Sequence, residues 1–175
     1  MLKANNNYFE KFEKYDFELW KKSLNGNLSN IFIVTKCVAN HMLKRKKGSI
    51  INIASDVGVI SPDHRIYEAN KKFNYKGTNF NTPISYSTAK AGIISMTRYL
   101  ATSWAKKGIR VNCISPAGVY KKHDRKFVEQ LSQRIPLGRM AKPHELNGAI
   151  VYLCSNASSF VTGHNLIVDG GRTIW

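Results

Sequence analysis

An α/β fold on a parallel sheet is predicted by three consecutive patterns between Lys47 and Gly118. The first is the turn signal Lys47-Gly48 followed by the β-branched run from Ser49 to Ala54, which reads as a buried strand ending at the Ser55 hydroxyl. The second is helical spacing from Ile93 to Ala105, with Ile93, Met96, Leu100 and Trp104 on one stripe. The third is Lys107-Gly108, which stops that helix, and the run from Ile109 to Ser115, which starts another strand before Pro116-Ala117-Gly118. Strand, helix, strand implies parallel pairing, because the crossover is too long for a hairpin. Ligands of such sheets sit beyond the carboxyl ends of the strands, where Ser55 and Pro116-Ala117-Gly118 fall.

The flanking elements follow from the same periodicities. Phe17 to Lys47 reads as a long helix with a break near Asn25-Gly26-Asn27 and an apolar stripe of Leu28, Ile31, Thr35, Val38 and Met42. Lys121 to Ile135 is charged and helical in pattern. Pro143 to Ser155 is an amphipathic helix with Leu146, Ile150, Leu153 and Cys154 inward, and Asn165 to Val168 is the last strand. A single domain spanning 1–175 is expected at this length.

Tyr86 and Lys90 carry the clearest chemical signal. Four residues apart on a helix, their side chains share one face. A phenol of pKa ~10 is a poor acid-base catalyst at neutral pH, and bringing it to ~7 takes roughly 4 kcal/mol. An ammonium at about 4 Å supplies that at an effective dielectric of ~20, and only ~1 kcal/mol in bulk water. The pair therefore means chemistry in a cleft and is a solvated helix pair on an open surface.

The ordered set of short motifs resembles the carboxyl-terminal two thirds of the short-chain dehydrogenase/reductase family. The matching runs are Asn27-Leu28, Gly48 to Ser55, Tyr86-Ser87-Thr88-Ala89-Lys90-Ala91-Gly92, Arg110-Val111-Asn112 to Pro116, Pro136-Leu137-Gly138-Arg139, and Val161-Thr162-Gly163 through Gly171. The resemblance implies a partial Rossmann-like, doubly wound parallel sheet and an NAD(P)-dependent oxidoreductase. It assigns Tyr86 as proton donor or acceptor at the substrate oxygen. Lys90 would lower the Tyr86 pKa and bind the nicotinamide ribose, and Ser55 would hold the substrate oxygen. Asn27 would support a helix kink and a water link to Lys90, while Pro116 and Val119 would border the nicotinamide. Two preplaced hydroxyls suit a carbonyl oxygen that gains negative charge as it receives hydride. Each residue also has a structural alternative: Asn27 as a turn residue, Ser55 as a loop cap, Pro116 as a strand terminator.

The resemblance also implies a missing part. No Gly-x-Gly-x-x-Gly or Thr-Gly-x-x-x-Gly-x-Gly occurs, so the strand, glycine-rich turn and helix that receive a pyrophosphate are not represented. By family order the first four of seven strands are absent, and the run from Ser49 to Ala54 should expose an unpaired apolar edge. A fragment, a coding region broken by a frameshift, and one half of a split protein completed in trans are the competing explanations. NAD and NADP are not distinguished, because the selector residue would follow the second strand.

The spacing from Ser55 to Tyr86 exceeds the family's, giving an insertion from about Pro62 to Pro83. It carries Asp63-His64-Arg65, Tyr67-Glu68 and Lys71-Lys72-Phe73-Asn74-Tyr75-Lys76-Gly77. Its cations and rings suit an anionic, ring-bearing substrate such as a sugar phosphate or nucleotide sugar, or form a solvated excursion. Ser55-Asp56-Val57-Gly58, this insertion and the ending Val168 to Trp175 resemble a bacterial subgroup of flagellin modification and surface-sugar synthesis. By the family pattern the helices Phe17–Lys47 and Tyr86–Lys107 would join two copies. A non-catalytic remnant or interaction subunit is the second function class.

The net charge of +16 raises nucleic acid as a partner. The basic residues are dispersed, however, and the densest run, Lys44-Arg45-Lys46-Lys47, sits at a helix carboxyl end without interleaved aromatics. No nucleic-acid or membrane partner is expected. Cys37, Cys113 and Cys154 read as small buried hydrophobes of a reducing compartment. The histidines show no metal-ligand spacing, and no signal peptide or membrane-length apolar run occurs, so a cytoplasmic setting is expected.

Overall fold

A computed structural model of the chain describes residues 6–68, 74–75, 78–79 and 81–175. Helix α1 (Phe17–Leu24) starts at Asp16, whose side chain accepts from the Leu19 amide at 2.8 Å. It continues through a π-helical turn (Asn25–Ser29) into α2 (Asn30–Arg45). The break expected at Asn25-Gly26-Asn27 is thus a π-turn inside one continuous helical run, a bulge that carries one extra residue without ending the helix.

The main sheet has the order β1-β4-β5 and is parallel throughout, with β1 at Gly48–Ile53, β4 at Ile109–Pro116 and β5 at Asn165–Val168. The register pairs Gly48 with Ile109 through Ile53 with Ile114, and Cys113 with Asn165 through Pro116 with Val168. β4 lies in the middle, and Val111, Asn112, Cys113 and Ser115 are fully buried. Burial on both faces leaves its polar residues to be satisfied inside the protein: Asn112 Nδ2 donates to Val161 O at 3.0 Å and Ser115 Oγ donates to Asn165 Oδ1 at 2.7 Å.

Helices α2 and α4 (Ile84–Trp104) cover one face. Ile50, Ala101, Ile109 and Val111 pack there with Met42, Leu43, Leu100 and Trp104, and Ala54, Ile93, Ile94 and Cys113 pack with Leu28 and Ile31. The deepest ridge of α4 is Ser85, Ala89, Ile93, Thr97 and Ala101, at four-residue spacing. It is displaced from the expected stripe because small side chains permit the closest approach to the sheet. Thr97 also accepts from Asn52 Nδ2 at 2.9 Å, which satisfies two buried polar groups.

Helix α6 (Asn147–Cys154) follows a 3₁₀ turn (Pro143–Leu146) and packs on the sheet through Leu153. Its carboxyl end is closed by Arg110, whose guanidinium donates to the carbonyls of Leu153 at 2.9 Å, Ser155 at 3.1 Å and Val161 at 3.2 Å. Asn112 ties the same region down, donating to Val161 O at 3.0 Å and accepting from His164 N at 3.0 Å.

Four residues expected to be buried are exposed. Cys37 and Cys154 are exposed and only Cys113 is buried. Val38 and Ile150 are exposed rather than inward. Periodicity marks an apolar sector of a helix, and among the described residues nothing covers the sectors that carry these side chains. The free side of β1 is likewise unpaired among the described residues, as expected for that edge.

The insertion is described in part. It contains the helical turn α3 (Arg65–Glu68) and a short antiparallel pairing of β2 (Asn74–Tyr75) with β3 (Thr78–Asn79). Lys71, Lys72, Phe73, Lys76 and Gly77 lie outside the described residues. α3 packs on α5 (Arg125–Ser132) by a stacked Tyr67–Phe127 pair and by Asp63, which bridges Arg134 at 2.6 Å and Arg65 at 2.8 Å. These guanidinium contacts hold the Asp63 carboxyl well below the usual carboxylate range.

Gly108 closes the turn before β4 with φ of +75°, and an added Cβ would lie 2.2 Å from the Lys46 carbonyl oxygen. Gly108→Ala combines a left-handed backbone cost of about 1–2 kcal/mol with that backbone clash. A fall in melting temperature of more than about 4 °C is expected for a chain of this size. A melting curve superimposable on the parent's would refute it.

Candidate active site

The site is assembled where β1 ends on α4. Ser55 lies two residues beyond the end of β1 and is buried, and a 3₁₀ turn (Asp56–Gly58) carries the chain across α4. Gly58 is required there by close approach: a Cβ would lie 2.7 Å from the Lys90 carbonyl carbon and 2.9 Å from the Ala91 nitrogen. Sequence spacing then brings Tyr86 and Lys90 onto this turn, since both project from the same face of α4.

Tyr86 is half-buried, with its phenol near the Ser55 side chain. Lys90 Nζ donates to the Ile53 carbonyl at 3.0 Å and lies 5.4 Å from the Tyr86 ring centroid. Ser55, Tyr86 and Lys90 are therefore brought together as expected. The expected lowering of the Tyr86 pKa is not found. Burial pushes the phenol up, the nearby Ser55 hydroxyl opposes this more weakly, and the Asp56 charge adds to the rise. Burial also pushes the Lys90 ammonium down. The physical reason is that Lys90 turns to the Ile53 carbonyl, while the phenol loses solvent.

Asn27 lies in the π-turn, which packs against α4, and its Nδ2 donates to the Ser23 carbonyl at 3.0 Å. That bond stays within its own helical run. Pro116 ends β4, and Val119 forms a parallel bridge with Ala141. Pro116, the last residue of β4, and Ser55, just beyond β1, stand at the carboxyl ends of neighbouring parallel strands, linked by Ala54 N donating to Ile114 O at 2.8 Å. A pocket of about 240 Å³ opens at the ends of β4 and β5, lined by Ala117, Gly118, Ile135, Leu137, Val168 and Asp169. Tyr86 and Lys90 are not among its walls.

The pocket rim holds a paired fork. Arg139 donates to both Glu145 oxygens at 2.7 Å, and the Lys142 amide adds a third bond at 2.7 Å. Together they hold the Glu145 carboxyl down to about 2. A carboxyl depressed in the folded state contributes stability above its ordinary value of 4.5 that is lost as pH falls through about 2. The melting difference between the parent chain and Glu145→Gln should therefore shrink steadily on acidification across that window. A pH-independent difference would contradict this.

Sequence reasoning missed the groups behind the site. Asp56 is 3% and Arg172 8% exposed, and the two form a buried ion pair. Asp56 Oδ1 also accepts from Ser55 Oγ and from Val57 N, each at 2.8 Å. Tyr15 hydrogen-bonds Ser85 at 2.8 Å, one residue before Tyr86. No local pattern announces either contact, because both join segments far apart in the chain.

Comparison with known proteins agrees with this geometry. Residues 3–76 match the family model described as short chain dehydrogenase, and residues 74–173 match that described as Enoyl-(Acyl carrier protein) reductase. The two matches meet inside the insertion. The chain is 35% identical over 172 residues to a 2-dehydro-3-deoxy-D-gluconate 5-dehydrogenase of Bacillus subtilis (strain 168), covering 93% of this chain and 59% of the relative. A short-chain dehydrogenase of Leptospira borgpetersenii with bound NAD+ superposes with a TM-score of 0.83 at 37% identity, covering 94% of this chain and 60% of that one. A gluconate 5-dehydrogenase of Burkholderia cenocepacia with NADP and tartrate gives 0.79 at 28% identity, covering 99% and 63%. The chain thus spans about three fifths of the length of these relatives. Gluconate-type dehydrogenases do not support the flagellin-modification and surface-sugar subgroup.

Proposed function

This chain belongs to the short-chain dehydrogenase/reductase family, and we propose from that premise that it carries the nicotinamide and substrate half of an NAD(P)-dependent oxidoreductase site. The observation that carries the reading is the convergence of Ser55, Tyr86 and Lys90 at the carboxyl end of β1, beside the end of β4. Two hydroxyls and one ammonium suit a ribose diol and a carbonyl or alcohol oxygen. The donor set fits the nicotinamide ribose, with Tyr86 and Lys90 as the groups that would hold it and Pro116 and Val119 as its border. The described residues contain no glycine-rich turn that would fit a pyrophosphate.

When bound, the nicotinamide supplies or accepts hydride. In the reductive direction Tyr86 gives its proton to the substrate oxygen, and Ser55 orients that oxygen. The buried phenol stays protonated at neutral pH, which suits the donor role. Lys90 holds positive charge near the phenolate left behind, and Asn27 sits in the π-turn that supports α4. The substrate is a sugar-like carbonyl or alcohol, a reading supported by the gluconate-type relatives and by the net charge of +16, which attracts anions. The setting is cytoplasmic; among the described residues no helix is long and apolar enough to cross a membrane.

Self-association is part of this reading. α2 exposes Phe32, Ile33, Val34 and Val38, and α4 exposes Tyr99. Val34→Glu should shift the chain towards monomer in light scattering, and an unchanged mass would remove this face from the interface. A second reading, an interaction subunit without cofactor affinity, is favoured by the three-stranded sheet with its unpaired β1 edge. Titration with NADH and NADPH, followed by cofactor fluorescence, separates the two. Micromolar binding supports the oxidoreductase; no binding at millimolar cofactor by a folded chain supports the subunit.

A further inference from the structure

We propose that the end of the sheet opposite the candidate active site is a docking surface for an anionic membrane leaflet. Two turns meet there. The turn from α2 into β1 carries Lys44, Arg45, Lys46 and Lys47, and a 3₁₀ turn before β4 (Ala105–Lys107) carries Lys106 and Lys107. All six side chains are exposed. The turns are in direct contact: Gly48 N donates to Gly108 O at 3.3 Å, and a Cβ on Gly108 would lie 2.2 Å from the Lys46 carbonyl oxygen. Cations that look dispersed along the sequence thus form one cluster in the fold. No acidic residue occurs between Glu18 and Asp56, between Glu68 and Asp124 or between Glu145 and Asp169. Glu18 and Asp56 lie at the far ends of the α1–α2 run and of β1, about 40 Å and about 25 Å from the cluster at ordinary helical and strand rises. Among the described residues none of the six cations is in an ion pair. The carboxyl ends of α2 and α4 offset about half a charge each, which leaves roughly five positive charges uncompensated.

Phe160 stands at the same end and is fully exposed. Its loop, between a 3₁₀ turn (Asn156–Ser158) and β5, is tied to the start of β4. Arg110 donates to Val161 O at 3.2 Å, and Gly163 N donates to Val111 O at 2.8 Å. A leaflet uses both features, since its anionic headgroups attract the cations and its acyl boundary takes the ring. Nucleic acid fits less well. Five of the six cations are lysines, point charges without the guanidinium fork that reads phosphates and base edges. One lone ring is also no stacking platform. Docking by this end leaves the carboxyl ends of the strands, with Ser55 and Tyr86, turned away from the bilayer.

Co-sedimentation of the full chain with lipid vesicles tests this and needs neither cofactor nor turnover. Phosphatidylcholine vesicles with about 30% phosphatidylserine should bind the chain at about 0.1 M salt, and phosphatidylcholine alone should not. Each cation near such a surface is worth roughly fivefold in partition, so Lys47→Gln with Lys107→Gln should lower binding about 25-fold. Lys121→Gln with Lys126→Gln removes the same charge around α5, beyond the carboxyl end of β4, and should change binding by less than about threefold. Phe160→Ser should weaken binding about tenfold although it alters no charge. All these positions are exposed, and melting curves that match the parent's check that the variants fold. No binding to phosphatidylserine vesicles, equal losses in the two lysine pairs, or a Phe160→Ser variant that binds like the parent overturns the proposal. Retention on duplex DNA without vesicle binding also overturns it and assigns the cluster to nucleic acid. Failure of cofactor binding, by contrast, would sink the oxidoreductase reading and leave vesicle binding unchanged.

Discussion

Tyr86→Phe should lower turnover by about 10²–10⁴-fold, the usual worth of a positioned general acid or base. The loss should fall on kcat, because the ring and its packing remain and only the transferable proton is removed. The fold should survive. Ser55 keeps its bond to Asp56, so no buried polar atom is orphaned by the change. Reductase assays with NADH or NADPH and sugar-like carbonyl substrates, on parent and variant side by side, read the effect. A variant retaining more than about a tenth of the parent rate would remove Tyr86 from the chemistry. Lys90→Met offers a contrast, since it deletes the ammonium but not the proton donor. It should weaken cofactor binding as well as turnover.

Asp56→Ala should be strongly destabilising. It strands the Arg172 guanidinium, which is 8% exposed, without its carboxylate, and also removes the acceptor of Ser55 and Val57. Breaking one side of a buried ion pair costs about 3–5 kcal/mol. At roughly 2–4 °C per kcal/mol for this size, the melting temperature should fall by about 6–20 °C. Asp56→Asn combined with Arg172→Met should recover most of that loss, because the penalty lies in the uncompensated charge and not in the missing pair. A loss below about 1 kcal/mol in Asp56→Ala would mean that solvent reaches Arg172 more freely than its burial indicates.

The fold was legible where local pattern and packing agree. The boundaries of β1, β4 and β5 were readable because each is a short β-branched run bounded by turn residues. The Tyr86–Lys90 pair was readable because helical spacing alone fixes their common face. Asn27 was readable as a point of irregularity, but whether Asn25-Gly26-Asn27 ends a helix or bulges it depends on what packs alongside. The stripe of Ile93, Leu100 and Trp104 does pack on the core, but the deepest ridge of α4 lies beside it, because hydrophobic patterns weight large side chains whereas the closest approach is made by Ser85, Ala89, Thr97 and Ala101. Cys37 and Cys154 were misjudged because periodicity assigns an apolar sector without naming its cover. The Asp56–Arg172 pair was beyond sequence reasoning altogether: its partners stand 116 positions apart, and each looks locally like an ordinary loop charge.

The parallel register also governs how this chain must fold in time. Gly48 meets Ile109 and Cys113 meets Asn165, so no part of the main sheet can form as a local hairpin. Each pairing must wait for a long loop to close, and that entropy is lost before any strand contact offsets it. The helices can form within microseconds, while the sheet waits for diffusion. During that interval the β-branched run of β1 is open to other chains along both edges, and after folding along one. Yield on refolding should therefore depend on protein concentration more steeply than the stability of the finished fold would suggest.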